Sequence, residues 1–237
     1  MKTLLKFKNL PFLILGLSGV GLALRWALYT FAVDGKKLLV AGHPLAWLLA
    51  LVSIAAAIFT LVGVWNQRGS HLQEDNFRPS KAAAFGSLAA AVGVGLTVFL
   101  QNANTGGTLG LVWKISGVPA CLALAVVAKC RWDGKKPLFL LHAIVCIFFA
   151  IHMVSCYQGW SSNPQIQDYL FTLLASVGLM LFGYQQTAYD ADSGSHRLQL
   201  AIGLLTAFCC FVALSGTEFP ILYLTGGIWA LTNLRGE

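Results

Sequence analysis

The sequence predicts an all-α fold, a polytopic bundle of transmembrane helices with eight spans. Three observations carry that prediction. At 57% hydrophobic and 11% charged residues, with a mean hydropathy of +0.71, the chain is far more apolar than a soluble domain, in which about 25% of residues are charged. Its apolar residues gather into stretches of about 20, the length that crosses a roughly 30 Å hydrocarbon layer as a helix. Its lysines and arginines collect on every second connection between those stretches, which is how a multi-span protein records its orientation.

The spans read Leu10 to Val33, Leu45 to Trp65, Ala82 to Leu100, Leu109 to Ala128, Leu138 to Tyr157, Tyr169 to Tyr184, Leu198 to Leu214 and Phe219 to Leu231. Span one follows Lys2, Lys6 and Lys8, as a secretory signal would. Its apolar run passes Arg25 and Trp26 to Val33 without a small-residue cleavage site, so it reads as a retained first helix. Span three repeats Ala82, Gly86, Ala90, Gly93 and Thr97 at intervals of three or four, a stripe that lets helices pack closely in lipid and places it near the middle of the bundle. Span eight is short and opens with Glu218 and Pro220. Residues from Ser215 onward would have to extend it, and the alternative is seven spans with Phe219 to Leu234 re-entrant.

With the N-terminus inside, the cytoplasmic segments hold Lys2, Lys6, Lys8, Arg68, Arg78, Lys81, Lys129, Arg131, Lys135, Lys136, Arg197 and Arg235. The external ones hold only Lys36 and Lys37, so both termini are expected in the cytoplasm of a multi-pass cell-membrane protein. The net charge of +7 follows from those loops. It implies the bilayer, with anionic lipid at the cytoplasmic face, as the partner rather than nucleic acid, because no basic, aromatic-interleaved surface is present. The longest connection, Asn66 to Lys81, mixes both signs and reads as a solvated loop, with Ser80 after Pro79 in position to cap the next helix. Residues 1–237 form one membrane domain. Faint echoes suggest two four-helix halves, 1–131 and 132–237: Pro11 with Arg25 against Pro137 with His152, and Trp65-Asn66-Gln67 against Tyr184-Gln185-Gln186.

Cys121, Cys146, Cys209 and Cys210 lie within spans, Cys130 at the cytoplasmic edge and Cys156 toward the outside, so they read as small packing residues rather than disulfide partners. His142 and His152 are ten residues apart on one helix, roughly 15 Å in rise, and cannot grip one metal or haem together. No zincin, hydrolase or phosphate-loop motif occurs, and no cofactor or catalytic residue is called. His142 reads as a hydrogen-bonded core histidine. Asp190 and Asp192 form a D-x-D read as a solvated turn at the cytoplasmic end of span six, or else as a divalent-cation holder.

Ionisable groups inside the membrane are costly and face a cavity or a partner, so they are the expected functional residues. Arg25, Lys114 and His152 share one level in the outer half of three different spans by helical rise. Asp168 and Glu218 are the acidic groups at the same margin, with Tyr223 near in depth. Two readings stand open: the long basic side chains extend to the interface, or the three converge on an outward cavity for an anion.

The stretches YQQTAYDADSGSHR and YLTGGIWALTNL resemble segments of small uncharacterised bacterial polytopic membrane proteins. That resemblance implies a similar multi-helix membrane fold and brings no activity. The leading expectation is transport or capture of a small anionic solute or lipid from the outer face. Arg25, Lys114 and His152 would bind it, Asp168, Glu218 and Tyr223 would attend, and a separate subunit would supply the energy. The competing classes are a lipid or cell-envelope transferase using Asp190, Asp192 and a histidine at the cytoplasmic face, and a non-catalytic scaffold.

Overall fold

The computed structural model describes residues 9–32, 39, 42–65, 79–100, 108–160 and 166–234. Most carriers of the charge asymmetry, Lys2, Lys6, Lys8, Lys36, Lys37, Arg68, Arg78 and Arg235, lie outside them. Among the described residues there are eight helices and no strand: α1 (Leu10–Phe31), α2 (Pro44–Trp65), α3 (Lys81–Leu100), α4 (Thr108–Asp133), α5 (Phe139–Trp160), α6 (Ile166–Asp190), α7 (His196–Ala213) and α8 (Pro220–Thr232). Six of them, α1 to α5 and α7, are long and apolar enough to cross a membrane. α6 has the length but a polar C-terminal end. α8 has the apolar character but only 13 residues, about 20 Å of rise.

Local chemistry sets the ends. α1 and α8 begin with proline in the first turn, where its missing N–H is no loss and its fixed φ suits the helix. α4 runs five residues past the expected Ala128 and stops in a Schellman turn: Gly134 takes φ +68° and Lys135 N–H donates back to the Cys130 carbonyl at 2.8 Å. α6 likewise continues beyond Tyr184 to Asp190. It ends in the same turn, with Asp192 at φ +59° in the glycine position and Ser193 N–H on the Ala188 carbonyl at 2.9 Å. Residues from Ser215 do not extend α8 as expected. They form a turn in which Gly216 takes φ +82°, where a side chain would strike the Tyr29 ring.

α3, α4, α5, α6, α7 and α8 each pack on the next, and α8 returns to α3, closing a ring of six. α1 and α2 form a hairpin outside it, seated on α7. α7 therefore touches α1, α2, α6 and α8. α2 is the most peripheral, with 17% of its most apolar window buried against 56% in α3 and in α7.

The seam that closes the ring is made by absent side chains. A Cβ on Gly86 would lie 1.7 Å from Thr232 Oγ1, and one on Gly93 1.9 Å from Thr225 Oγ1, so two threonine side chains of α8 sit directly on the α3 backbone at two places one heptad apart. Gly86, Ala90, Gly93 and Thr97 are buried and Ala82 is exposed, while Phe85, Leu88, Val92 and Phe99 face outward. That division suits a helix with lipid on one side, where small residues rather than large apolar ones make the contact. Inside the ring, aromatic rings fill the middle: Phe148 and Phe149 meet edge-on at 5.3 Å, and Phe182 meets Trp229 at 4.9 Å.

Candidate functional site

The ring carries buried polar groups at both ends and aromatic or aliphatic groups between. The end bearing Arg131, Lys136 and Arg197 is called the basic end below, and the end bearing Asp168 and Glu218 the far end.

At the far end Arg25 and His152 make separate sets of hydrogen bonds, and Arg25 is in electrostatic contact with Tyr223, the partner of His152. Arg25 is 1% exposed and lies between α1, α6 and α7. Gly21, one turn earlier, lets α1 press against Val212 and Phe208, and this aims the guanidinium at the C-terminus of α7. Nη1 donates to the Val212 carbonyl at 3.2 Å, and Nη2 donates to the Asp168 carbonyl at 2.8 Å and to Tyr29 Oη at 3.3 Å. Tyr29 Oη itself donates to the Asp168 carbonyl at 2.9 Å. The guanidinium also sits 5.4 Å from the Phe171 ring centre, within cation–π range. Arg25 thus neither extends to the interface nor opens on a cavity. It caps the carbonyl end of α7, where a cation also suits the helix dipole. The recorded contact with Asp168 uses its peptide oxygen, not its carboxylate.

His152 is 1% exposed and faces the ring interior. Its Nε2 lies 3.1 Å from Tyr223 Oη, which lies 2.8 Å from Ser176 Oγ, and Ser176 donates to the Thr172 carbonyl at 2.9 Å. This relay joins α5, α8 and α6. The imidazole is boxed by Phe219 at 5.0 Å, Trp113 at 5.7 Å and Phe148 at 6.3 Å. Tyr223 therefore lies beside His152. Lys114 follows Trp113, whose indole faces inward, and is itself half-buried. No hydrogen bond joins it to Arg25 or His152 among the described residues. Glu218 is exposed in the turn before α8, and Asp168 is half-buried in the first turn of α6.

The larger cluster is at the basic end, where Arg131, Gln186 and Asp190, which fall beyond the spans read from the sequence, join His142 of span five. Asp190 is 3% exposed, which corrects the solvated-turn reading: α6 carries it inside the ring, where its Oδ2 lies 2.5 Å from His142 Nδ1. Both side chains are fully buried. Arg131, 4% exposed, reaches Gln186 Oε1 with Nη2 at 3.4 Å and is in electrostatic contact with Asp190. His142 is a hydrogen-bonded core histidine, as expected, and its ring stacks on Trp229 at 6.2 Å. Asp192 points away into solvent and pairs with Lys136. The D-x-D therefore divides between one interior and one surface carboxylate, and does not present two oxygens to one cation.

Asn233 ties three helices at this end. Its Nδ2 donates to the Ala83 carbonyl at 3.4 Å, to Ser87 Oγ at 3.3 Å and to the Trp229 carbonyl at 3.1 Å, while Gln199 Nε2 donates to its backbone carbonyl at 3.3 Å. The sequence held a usable signal for this cluster. Asp133-Gly134 marks a helix end five residues beyond the apolar run, which puts Arg131 in the last turn of α4. Gln186 and Asp190 stand one turn apart, so they share a face.

All six cysteines are free. Among the described residues no three His, Cys, Asp or Glu side chains gather in a way that would hold a metal ion. No family model, curated protein or solved structure matches the chain, so the site is read on its chemistry alone.

Proposed function

We propose that this chain is an eight-span cell-membrane transport protein, both termini cytoplasmic, that moves a small anion together with a proton through the six-helix ring. One observation carries the reading: polar stations with a histidine from α5 occupy both ends of the same ring, His142 with Asp190 at one and His152 with Tyr223 and Ser176 at the other. Buried ionisable side chains in membrane helices mark ion and proton paths because their burial is otherwise costly. The aromatic groups between the stations separate them, as an occluded carrier requires. The basic end faces the cytoplasm in this reading, on the strength of the loop lysines and arginines.

Arg131 is the anion's partner. It is a buried guanidinium beside a buried carboxylate, and a planar fork suits a carboxylate or phosphate. Arg25 is committed to backbone carbonyls, so capture from the outer face by Arg25 and Lys114 has less geometry behind it. A proton on His142 or Asp190 would compensate the charge of an arriving anion.

The test uses liposomes containing the purified full-length chain and a trapped pH-sensitive dye, challenged from outside with formate, lactate, succinate and inorganic phosphate in turn. Acidification of the lumen by one or more of them, lost in Arg131→Gln and in Asp190→Asn, is the expected result. If none of the four shifts lumenal pH relative to protein-free liposomes, the transport reading falls and a structural role for the bundle replaces it.

A further inference from the structure

At the basic end, hydrogen-bonding capacity is left over inside the protein. Asp190 Oδ1, Gln199 Oε1 and Asn233 Oδ1 are buried acceptors, and Trp229 Nε1 is a buried donor. None of the four has a hydrogen-bond partner among the described residues. Native interiors leave few such atoms without protein or water.

The amide orientations are not interchangeable. Asn233 Nδ2 faces two carbonyls, of Ala83 and Trp229, so exchanging its O and N would set oxygen against oxygen. Gln199 Nε2 faces the Asn233 carbonyl, which fixes its oxygen in the same way. The four residues form one chain of contacts. Asp190 contacts His142 at 2.5 Å, His142 stacks on Trp229, Asn233 follows Trp229 by one turn, and Gln199 holds Asn233.

The mixture of atoms selects the occupant. A metal cation would use the three acceptors but not the indole N–H, and it would add positive charge beside Arg131. An anion would meet three oxygens. Water accepts and donates, and a buried water needs two to four polar partners. The titratable groups of this end are Arg131 from α4, His142 from α5, Tyr189 and Asp190 from α6 and His196 from α7. α3 and α8 contribute Ser87, Trp229 and Asn233, which do not titrate in the physiological range.

We propose that bound water links Asp190 to Gln199 and Asn233 and carries protons to and from the His142–Asp190 pair. This deepens the transport reading by naming the proton's entry route. A proton would pass along the water, protonate the pair on entry and leave by the same route, with no other bond made or broken.

Radiolytic hydroxyl-radical footprinting of the full-length protein in lipid nanodiscs tests the water, because radicals formed at a bound water oxidise the side chain beside it. Trp229 and Trp113 are both inaccessible, at 0% and 1% exposed. Trp113 Nε1 is also without a hydrogen-bond partner, but its neighbours are Phe148, Phe219 and a His152 already bonded to Tyr223, short of the two to four polar partners a buried water needs. Trp229 is expected to oxidise several-fold faster than Trp113, and Gln199→Leu is expected to bring the two rates together. Equal rates in the unmodified protein would overturn the proposal without any variant having to fold.

Exchange of the His142 ring proton in D2O, followed by solid-state NMR of histidine-labelled protein, tests the access. Fast exchange in the unmodified protein, slowed in Gln199→Leu, supports the water link, and a ring proton retained as long as the core amides of α5 refutes it. Neither readout involves transport. A hydrated Trp229 in a protein that moves no anion would therefore sink the transport reading and leave the water in place.

Discussion

Substituting Gly93 by alanine adds one methyl group at the seam that closes the ring. The new Cβ would sit 1.9 Å from Thr225 Oγ1, 2.7 Å from Thr225 Cβ and 2.9 Å from Thr225 Cγ2. Ordinary contact between carbon atoms is about 3.5–4.0 Å, so about 1 Å of room is missing even against the carbons. Rotating Thr225 does not supply it, because Cβ itself is in the way, and rotation would also break the bond from Oγ1 to the Ile221 carbonyl at 2.8 Å. The helices must separate, and a gap of about 0.5–1 Å forfeits a quarter to a half of the dispersion energy along the seam.

Overpacking of this kind costs about 1–3 kcal/mol, against which alanine's better helix propensity returns at most about 1 kcal/mol. A net loss of about 1–2 kcal/mol lowers the Tm of a chain of this length by roughly 2–8 °C, at about 2–4 °C per kcal/mol. Tryptophan fluorescence during heating in mild detergent reads it. Gly95→Ala is the internal control, because its nearest neighbour outside the chain's own turn is Cys121 Sγ at 3.4 Å. If Gly93→Ala melts with Gly95→Ala, the seam is not as tight as described and the closure of the ring by α8 is wrong.

Tyr223→Phe removes the hydroxyl between His152 and Ser176 and leaves a buried imidazole nitrogen without its partner. A loss of about 1–3 kcal/mol is expected in the same melt, and an unchanged Tm would dissolve the relay. Arg25→Gln strips donors from the Val212 and Asp168 carbonyls, so it should lower Tm while leaving any anion-driven pH signal in liposomes intact. Loss of that signal at unchanged Tm would return Arg25 to the role of ligand. Asp192→Gly removes a side chain from a left-handed turn, a gain of up to about 1 kcal/mol. It also deletes an exposed ion pair worth about 0–1 kcal/mol, so the Tm should hold or rise, and a clear fall would mean that the Lys136 pairing governs the turn. Cysteines placed at Asn104 and Ser161 should react with an impermeant reagent outside intact cells and those at Ser70 and Gly134 should not; the reverse pattern would invert the bundle.

Helix number and most boundaries were legible because length and proline are strong signals in lipid. Span two, read as Leu45 to Trp65, is α2 at Pro44–Trp65, and span three, read as Ala82 to Leu100, is α3 at Lys81–Leu100. What could not be read was azimuth. Arg25 and His152 lie at similar depth, yet one faces the α6–α7 groove from outside the ring and the other faces its interior. Apolar residues cover both the lipid-facing and the interior sides of each helix, so hydrophobic periodicity says little about which way a residue points. The burial of Asp190 and Arg131 was missed for a related reason. Ending each span where the apolar run ended cut off the last turns of α4 and α6, and those turns carry the polar residues that fold into the ring.

The closing partner of α3 is the last of the eight helices to be synthesised. From the moment α3 enters the membrane until α8 arrives, its row of glycines and alanines has nothing to fit against, and Asn233 is not yet there to tie α3 to α7. Assembly therefore has a final act on which the enclosure of Arg131, His142 and Asp190 depends. A chain stalled before α8 would expose those groups to lipid, a condition that membrane insertion and quality-control machinery can sense. The shortest helix thus serves as the latch of the six-helix ring.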